Sequence, residues 1–162
     1  MLIWLSKQKK QPRRLNGKTL LAVIGFVLIS STVGYSAYNS MIPVNGRFPV
    51  FGVPQNIYLI SKYDQQFGHI FATKSTTSGK KSLGSLHTTP EIHLRKDQLG
   101  SIHFINEDTD SKHNLNIDEF NVHTKDLSYF EVQTTTFIAD KSGTFRYYCS
   151  IHPQMSGNLI VD

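Results

Sequence analysis

Apolar and polar residues alternate along several stretches of the chain after residue 55. Residues 91–95 and 101–106 alternate most clearly, while residues 56–61 and 129–138 are dense in β-branched and aromatic side chains. A period of two is typical of half-buried strands, and these residue types favour them. We therefore predict seven or eight short strands that form an all-β Greek-key β-sandwich over residues 56–162.

Two of the predicted strands bring metal-binding side chains to the core. Cys149 has the same strand parity as Phe145 and Tyr147, so its thiol should reach the end of the core. His113 begins another alternating stretch and shares its parity with Leu115. We expect His113 to point towards the same interior.

The N-terminal part of the chain has a different pattern. Residues 1–18 contain six lysines and arginines and no acidic residue, and residues 19–38 contain no charge. About twenty helical residues cross the hydrocarbon core of a bilayer. We predict a basic cytoplasmic segment, a membrane anchor at residues 19–38 and an extended linker at residues 39–55, with the folded domain outside the cytoplasm, periplasmic or extracellular. A cleaved signal peptide, which would export a soluble domain, is the alternative.

The formal net charge of +5 does not indicate a nucleic-acid partner. Beyond residue 18 the chain has eleven lysines and arginines against twelve acidic residues. The excess of positive charge therefore belongs to the segment before the apolar stretch, and no basic face is left for nucleic acid.

The chain's only cysteine stands in the sequence Cys149-Ser150-Ile151-His152-Pro153-Gln154-Met155. A single cysteine cannot form an intrachain disulfide. Thiolate, imidazole and thioether are soft or borderline donors that suit copper better than calcium or magnesium. His113 completes a set of two histidines, one cysteine and a weaker axial methionine, and His123 is the less favoured fourth ligand. The other four histidines are expected on the surface or in the sheets: His69, His87, His93 and His103.

The pattern Gly143-x-Phe145-x-Tyr147-x-Cys149-x-x-His152-x-x-Met155, together with His113-Asn114, resembles the cupredoxins, the small blue copper proteins of the plastocyanin and amicyanin group. The resemblance implies one copper ion, Cu(I)/Cu(II), bound by His113, Cys149, His152 and Met155. It also implies an electron port at His152 with Ile151 and Pro153 beside it. Asn114 and Ser150 are expected to support the ligands from behind.

The predicted function is to carry single electrons between a redox donor and a redox acceptor, without a small-molecule substrate and without enzymatic activity. Four protein ligands leave no open position on the metal, whereas catalytic sites keep one. A copper-delivery protein could use the same four ligands and is the main alternative. An enzyme like copper nitrite reductase would need a second domain, and a sandwich with an accidental loop is the remaining possibility. The polar loop at residues 74–90 has no assigned role.

Overall fold

The structure is a computed structural model that describes residues 16–73 and 87–162. These residues belong to two compact units, one ending at Ser40 and the other formed by Met41–Asp162. Most of the predicted basic segment at residues 1–18 and most of the predicted loop at residues 74–90 lie outside the described residues.

In its described residues, the first unit forms the helix α1 (Gly17–Asn39), which includes the whole predicted span at residues 19–38. None of its residues is buried, and it is long and apolar enough to cross a membrane. Its second half is rich in hydroxyl side chains, and Ser30, Ser31 and Thr32 each donate a hydrogen bond to the carbonyl three residues earlier. The helix thereby satisfies these polar groups internally, as an apolar surrounding requires.

The described residues of the second unit form two five-stranded sheets. The first sheet consists of β1 (Gln55–Asp64), β2 (Gly68–Thr73), β3 (His87–Thr88), β5 (Leu99–Asn106) and β8 (Val132–Ile138). Its strand order is β3-β2-β1-β5-β8. The pair β1 and β5 is parallel, and the other pairs are antiparallel.

The second sheet consists of β4 (Ile92–Leu94), β6 (Asn116–Ile117), β7 (Val122–His123), β9 (Gly143–Tyr148) and β10 (Ser156–Val161). Its order is β4-β10-β9-β6-β7, with β4 and β10 parallel. A short 3-10 helix, Asp118–Phe120, connects β6 to β7. The strand β9 runs beside both β10 and β6, so it is central in the sheet.

The two sheets share one hydrophobic core, so the predicted all-β sandwich is confirmed. Leu59, Phe71 and Phe104 enter the core from the first sheet, and Tyr147 and Leu159 enter it from the second. The ring of Phe71 meets the ring of Tyr147 edge-on at a centroid distance of 5.2 Å, which joins the sheets. Such aromatic pairs stabilise a core beyond the area they bury.

Residues 41–54 differ from the extended linker that their prolines and glycines predict. A β-bridge pairs Ile42 with Val50, and the Val44 side chain between them is only 6% exposed. The backbone N–H of Asn45 donates to the Thr136 carbonyl at 2.8 Å, and Arg47 forms an ion pair with Asp140. Burial of Val44 and these contacts hold most of the predicted linker against the sandwich.

Candidate metal centre

The loop after β9 closes tightly on itself. The Cys149 N–H donates to the Met155 carbonyl at 3.0 Å, and the Met155 N–H donates to the His152 carbonyl at 2.8 Å. The loop therefore turns so that Cys149 and Met155 are both buried, at 0% and 2% exposure. The spacing of two residues between successive donors is what permits this short turn.

His113 reaches the same place from the segment before β6. Its N–H and carbonyl both pair with Leu127, at 3.1 and 2.8 Å, and its side chain is fully buried. Leu115 and Ile117 are fully buried as well, as their shared parity with His113 predicts. The His113 Nδ1 atom lies 3.8 Å from the Cys149 Sγ atom.

The ligand atoms of His113, Cys149 and His152 lie within 4.8 Å of one another. The His152 Nδ1 atom is buried and has no hydrogen-bond partner in the described part of the chain. A buried polar atom without a partner is destabilising unless something else binds it. These residues therefore fit a metal ion that two imidazoles and a thiolate would bind, with the Met155 thioether held in the same loop.

The electrostatics at the cysteine favour the thiolate. Burial raises the pKa of the Cys149 thiol, but hydrogen bonds from His113 and from the backbone N–H groups of Asn114, His152 and Ile151 outweigh burial and lower it. The thiolate is the form that ligates metals.

The two histidines differ in their electrostatics. Burial and the neighbouring imidazoles of His69 and His113 lower the pKa of His152. Burial also lowers the pKa of His113, but its hydrogen bonds with Cys149 and Asp108 outweigh burial and raise it. Metal binding requires neutral imidazoles, and the surroundings of His152 favour that form even before metal arrives.

Asn114 links the His113 segment to the cysteine loop. Its Oδ1 accepts the Ser150 N–H at 2.8 Å, and its Nδ2 donates to the Ser150 Oγ and to Asp126 Oδ1, both at 2.7 Å. Ser150 therefore contacts the other predicted supporting residue directly. Together these bonds fix the distance between the two segments that carry the candidate ligands.

Two further residues belong to this cluster, and sequence reasoning missed both. Asp108, in the loop after β5, is 2% exposed and bonds to His113 Nε2 at 2.9 Å. His69, expected on the surface or in a sheet, lies in β2 with its ring centroid 4.0 Å from that of His152. The spacing of five residues between Asp108 and His113 was the available signal for the carboxylate; the sequence around His69 carries none.

The other histidines that the structure describes do not join the cluster. His123, the alternative fourth ligand, has an exposed side chain whose Nδ1 bonds to Asn116 Oδ1 at 3.0 Å. His103 stacks on Tyr58 at 4.8 Å, and His93 is exposed. The side chain of His87 lies outside the described residues.

The predicted electron port is at the surface of the domain. Ile151 is 42% exposed, Pro153 is exposed, and His152 between them is partly buried. The loop thus presents an apolar edge to solvent while its histidine reaches inwards to the cluster.

Comparison with known proteins supports the fold. The family profile of the cupredoxin-like domain matches residues 85–161. No curated protein matches the chain.

Among solved structures, reduced auracyanin from the photosynthetic bacterium Roseiflexus castenholzii is 19% identical, with a TM-score of 0.49 over 68% of this chain and 99% of that one. The purple cupredoxin from Nitrosopumilus maritimus is 17% identical, with a TM-score of 0.41 over 65% and 99%. The copper nitrite reductase from Nitrosomonas europaea is 18% identical, with a TM-score of 0.48 over 68% of this chain and 42% of the enzyme. On its strand pattern, its sheets and the matching family profile, the chain carries a cupredoxin-like domain.

Proposed function

We propose that the domain binds one copper ion through His113, Cys149, His152 and Met155 and carries single electrons between redox proteins. The observation that carries the proposal is the convergence of ligand atoms from His113, Cys149 and His152 within 4.8 Å of one another. The Nδ1 atom of His152 is also buried and has no hydrogen-bond partner among the described residues. Cupredoxin-like domains bind copper, and this donor set has the softness that copper prefers.

The chain's own residues favour transfer of electrons over chemistry on a substrate. Four protein donors leave no position on the metal for a small molecule. When bound, copper would supply the change between Cu(I) and Cu(II). The hydrogen bonds between Asn114 and Ser150 hold the ligand loop against the His113 segment. Nearly the same arrangement of donor atoms would therefore bind Cu(I) and Cu(II).

The loop edge formed by Ile151, His152 and Pro153 is our candidate for the place where redox partners dock. Its apolar side chains are exposed, and His152 connects the surface to the donor cluster through a single side chain. A short path between partner and metal is what an electron carrier needs, while a catalyst needs an open cleft.

We also propose that α1 anchors the protein, so that the domain works on the outer side of a membrane. The helix is uncharged from Thr19 onwards, and residues 1–18 carry six positive charges and no negative one. Positive flanks are retained in the cytoplasm. The proposed layout is a basic segment at residues 1–18, an anchor at residues 19–38 and the copper domain at residues 56–162. The segment at residues 39–55 joins them, and most of it packs against the sandwich.

The copper proposal is tested by adding Cu(II) to the full chain in detergent micelles and recording the visible spectrum. We expect an intense thiolate-to-copper charge-transfer band that is absent in Cys149→Ala. His113→Ala should weaken the band strongly and His123→Ala should leave it unchanged, because only His113 belongs to the donor cluster. A colourless wild-type adduct would refute a blue copper site.

Electron transfer and copper delivery are separated by a second measurement. We expect reversible voltammetry of the loaded protein and slow release of copper to a competing chelator. Fast release together with sluggish voltammetry would instead identify a copper-delivery protein.

A further inference from the structure

Asp108 is a buried carboxylate that bonds to two histidines at once. Its Oδ2 atom lies 2.9 Å from His113 Nε2 and 2.8 Å from His69 Nδ1. Its Oδ1 atom accepts the backbone N–H of Asp110 at 3.0 Å. Both carboxylate oxygens therefore have partners, and the side chain is fixed in a single orientation.

The backbone around Asp108 is held just as firmly. The Asp108 N–H donates to Asn106 Oδ1 at 2.9 Å, and the Asn106 Nδ2 donates to the carbonyls of Ser111 and Leu127 at 2.8 Å each. Leu127 is the residue that pairs with His113 along the backbone. The loop that carries the carboxylate is thus tied to the segment that carries the candidate ligand.

Both oxygens of Asp108 act as acceptors, because Oδ2 faces one ring nitrogen of each histidine and Oδ1 accepts the Asp110 N–H. An acceptor-only carboxylate requires a hydrogen on the Nε2 atom of His113. The Nδ1 atom of His113, which faces the Cys149 sulfur, is then the one left to bind a metal ion once it gives up the hydrogen that it shares with the sulfur.

His69 extends this arrangement to the other candidate ligand. The bond to Asp108 sets the orientation of the His69 ring, which lies against the His152 ring at a centroid distance of 4.0 Å and an angle of 36°. Its centroid lies 5.2 Å from that of His113. The ring of His69 therefore packs beside His152, whose Nδ1 has no hydrogen-bond partner among residues 16–73 and 87–162 to orient it.

We propose that Asp108 is a positioning residue for both histidine ligands, acting on His113 by a direct hydrogen bond and on His152 through the ring of His69. The proposal rests on the copper site proposed above. Outer partners of metal-bound histidines fix the tautomer and raise ligand basicity, and their loss typically lowers metal affinity about 10–100-fold. The buried negative charge also stabilises Cu(II) more than Cu(I).

The test compares the full chain with Asp108→Asn, which keeps the size of the side chain and removes its charge. We expect Cu(II) affinity to fall about 10–100-fold and Cu(I) affinity to fall less, so that the reduction potential rises by about 59 mV for each tenfold difference. The control is Asp110→Asn, which removes an exposed charge from the same loop and should change neither quantity.

Two variants of His69 test the second half of the proposal. His69→Phe keeps a ring beside His152 and loses the bond to Asp108, while His69→Ala loses both. We expect the rate of electron self-exchange to fall further in His69→Ala than in His69→Phe. Equal rates in wild type and both variants would refute the role of His69.

A measurement on the metal-free protein tests the role of Asp108 without requiring that copper be bound. Nitrogen-15 NMR of the metal-free protein, recorded at a pH where His113 is neutral, should show this residue as a single tautomer with hydrogen on Nε2, and Asp108→Asn should lose this preference. If wild type forms the blue site but Asp108→Asn matches Asp110→Asn in affinity, potential and tautomer, this inference is wrong and the copper proposal stands. If wild type forms no blue site, the copper proposal fails by itself.

Discussion

Substituting alanine for Gly157 would place a methyl group so that it overlaps the hydroxyl end of the Tyr147 ring. The two residues are direct cross-strand partners of β10 and β9. A Cβ atom at Gly157 would lie 2.2 Å from both the Cζ and the Oη atoms of Tyr147. Real contacts of this kind are never so short, so the ring must move.

The ring of Tyr147 has little room to move. It is fully buried, it meets Phe71 edge-on at 5.2 Å, and its hydroxyl donates a hydrogen bond to the Pro90 carbonyl. Overpacking a core costs about 1–3 kcal/mol, and losing a buried hydrogen bond costs about 1 kcal/mol more. We therefore expect Gly157→Ala to lower the free energy of unfolding by about 2–4 kcal/mol, which lowers the midpoint temperature by about 10 °C in a domain of this size.

The assay is thermal unfolding of the metal-free protein, followed by circular dichroism. Gly52→Ala is the control, because a Cβ atom there meets only Leu99 Cδ2, at an ordinary 3.5 Å, and should change stability by less than about 0.5 kcal/mol. Tyr147 stands two residues before Cys149, so Gly157→Ala should also weaken copper binding. Equal midpoint temperatures for the two variants would show that the ring yields without cost and would refute the argument.

Three further predictions concern the axial ligand, the buried carboxylate and the anchor. Met155→Leu should retain copper and change the reduction potential, because the axial bond is the weak one; loss of the metal in equilibrium dialysis would contradict this. Burial raises the pKa of Asp108, but hydrogen bonds from His113, from the Asp110 N–H and from His69 outweigh burial and lower the pKa from 3.8 to about 2. The ionised carboxylate therefore stabilises the folded metal-free protein above pH 3.8. That contribution of about 2 kcal/mol should disappear as the pH falls from 4 towards 2, and acid unfolding of Asp108→Asn should lack this component. Carbonate washing of membranes should leave the full chain in the pellet and release a chain lacking residues 1–40; release of both would refute the anchor.

The sequence was enough to predict the sandwich and the position of the candidate donors, for local reasons. Strand alternation has a period of two residues, and the donors of the loop stand three residues apart between Cys149 and Met155. The interior direction of His113 follows from its parity with Leu115, and both side chains are fully buried. These features depend on neighbours within one strand or one turn.

The features that the sequence did not reveal depend on how separate strands and loops meet, not on neighbours within one strand. His69 reaches the cluster because β2 pairs with β1, and β1 pairs in parallel with β5, which leads into the loop of Asp108. An aspartate in an acidic loop is expected to be exposed to solvent, and the sequence does not show that a buried imidazole faces Asp108. The apolar side chain of Val44 likewise packs on the sandwich although the prolines and glycines around it indicate a linker.

The most direct test of the account is the visible spectrum of the full chain titrated with Cu(II), beside Cys149→Ala. If Cys149 binds a single copper ion, an intense charge-transfer band should grow until one copper is bound per chain. Cys149→Ala should show no such band at any copper concentration in the titration. A band of equal intensity in Cys149→Ala, or a wild-type protein that binds copper without any such band, would contradict it.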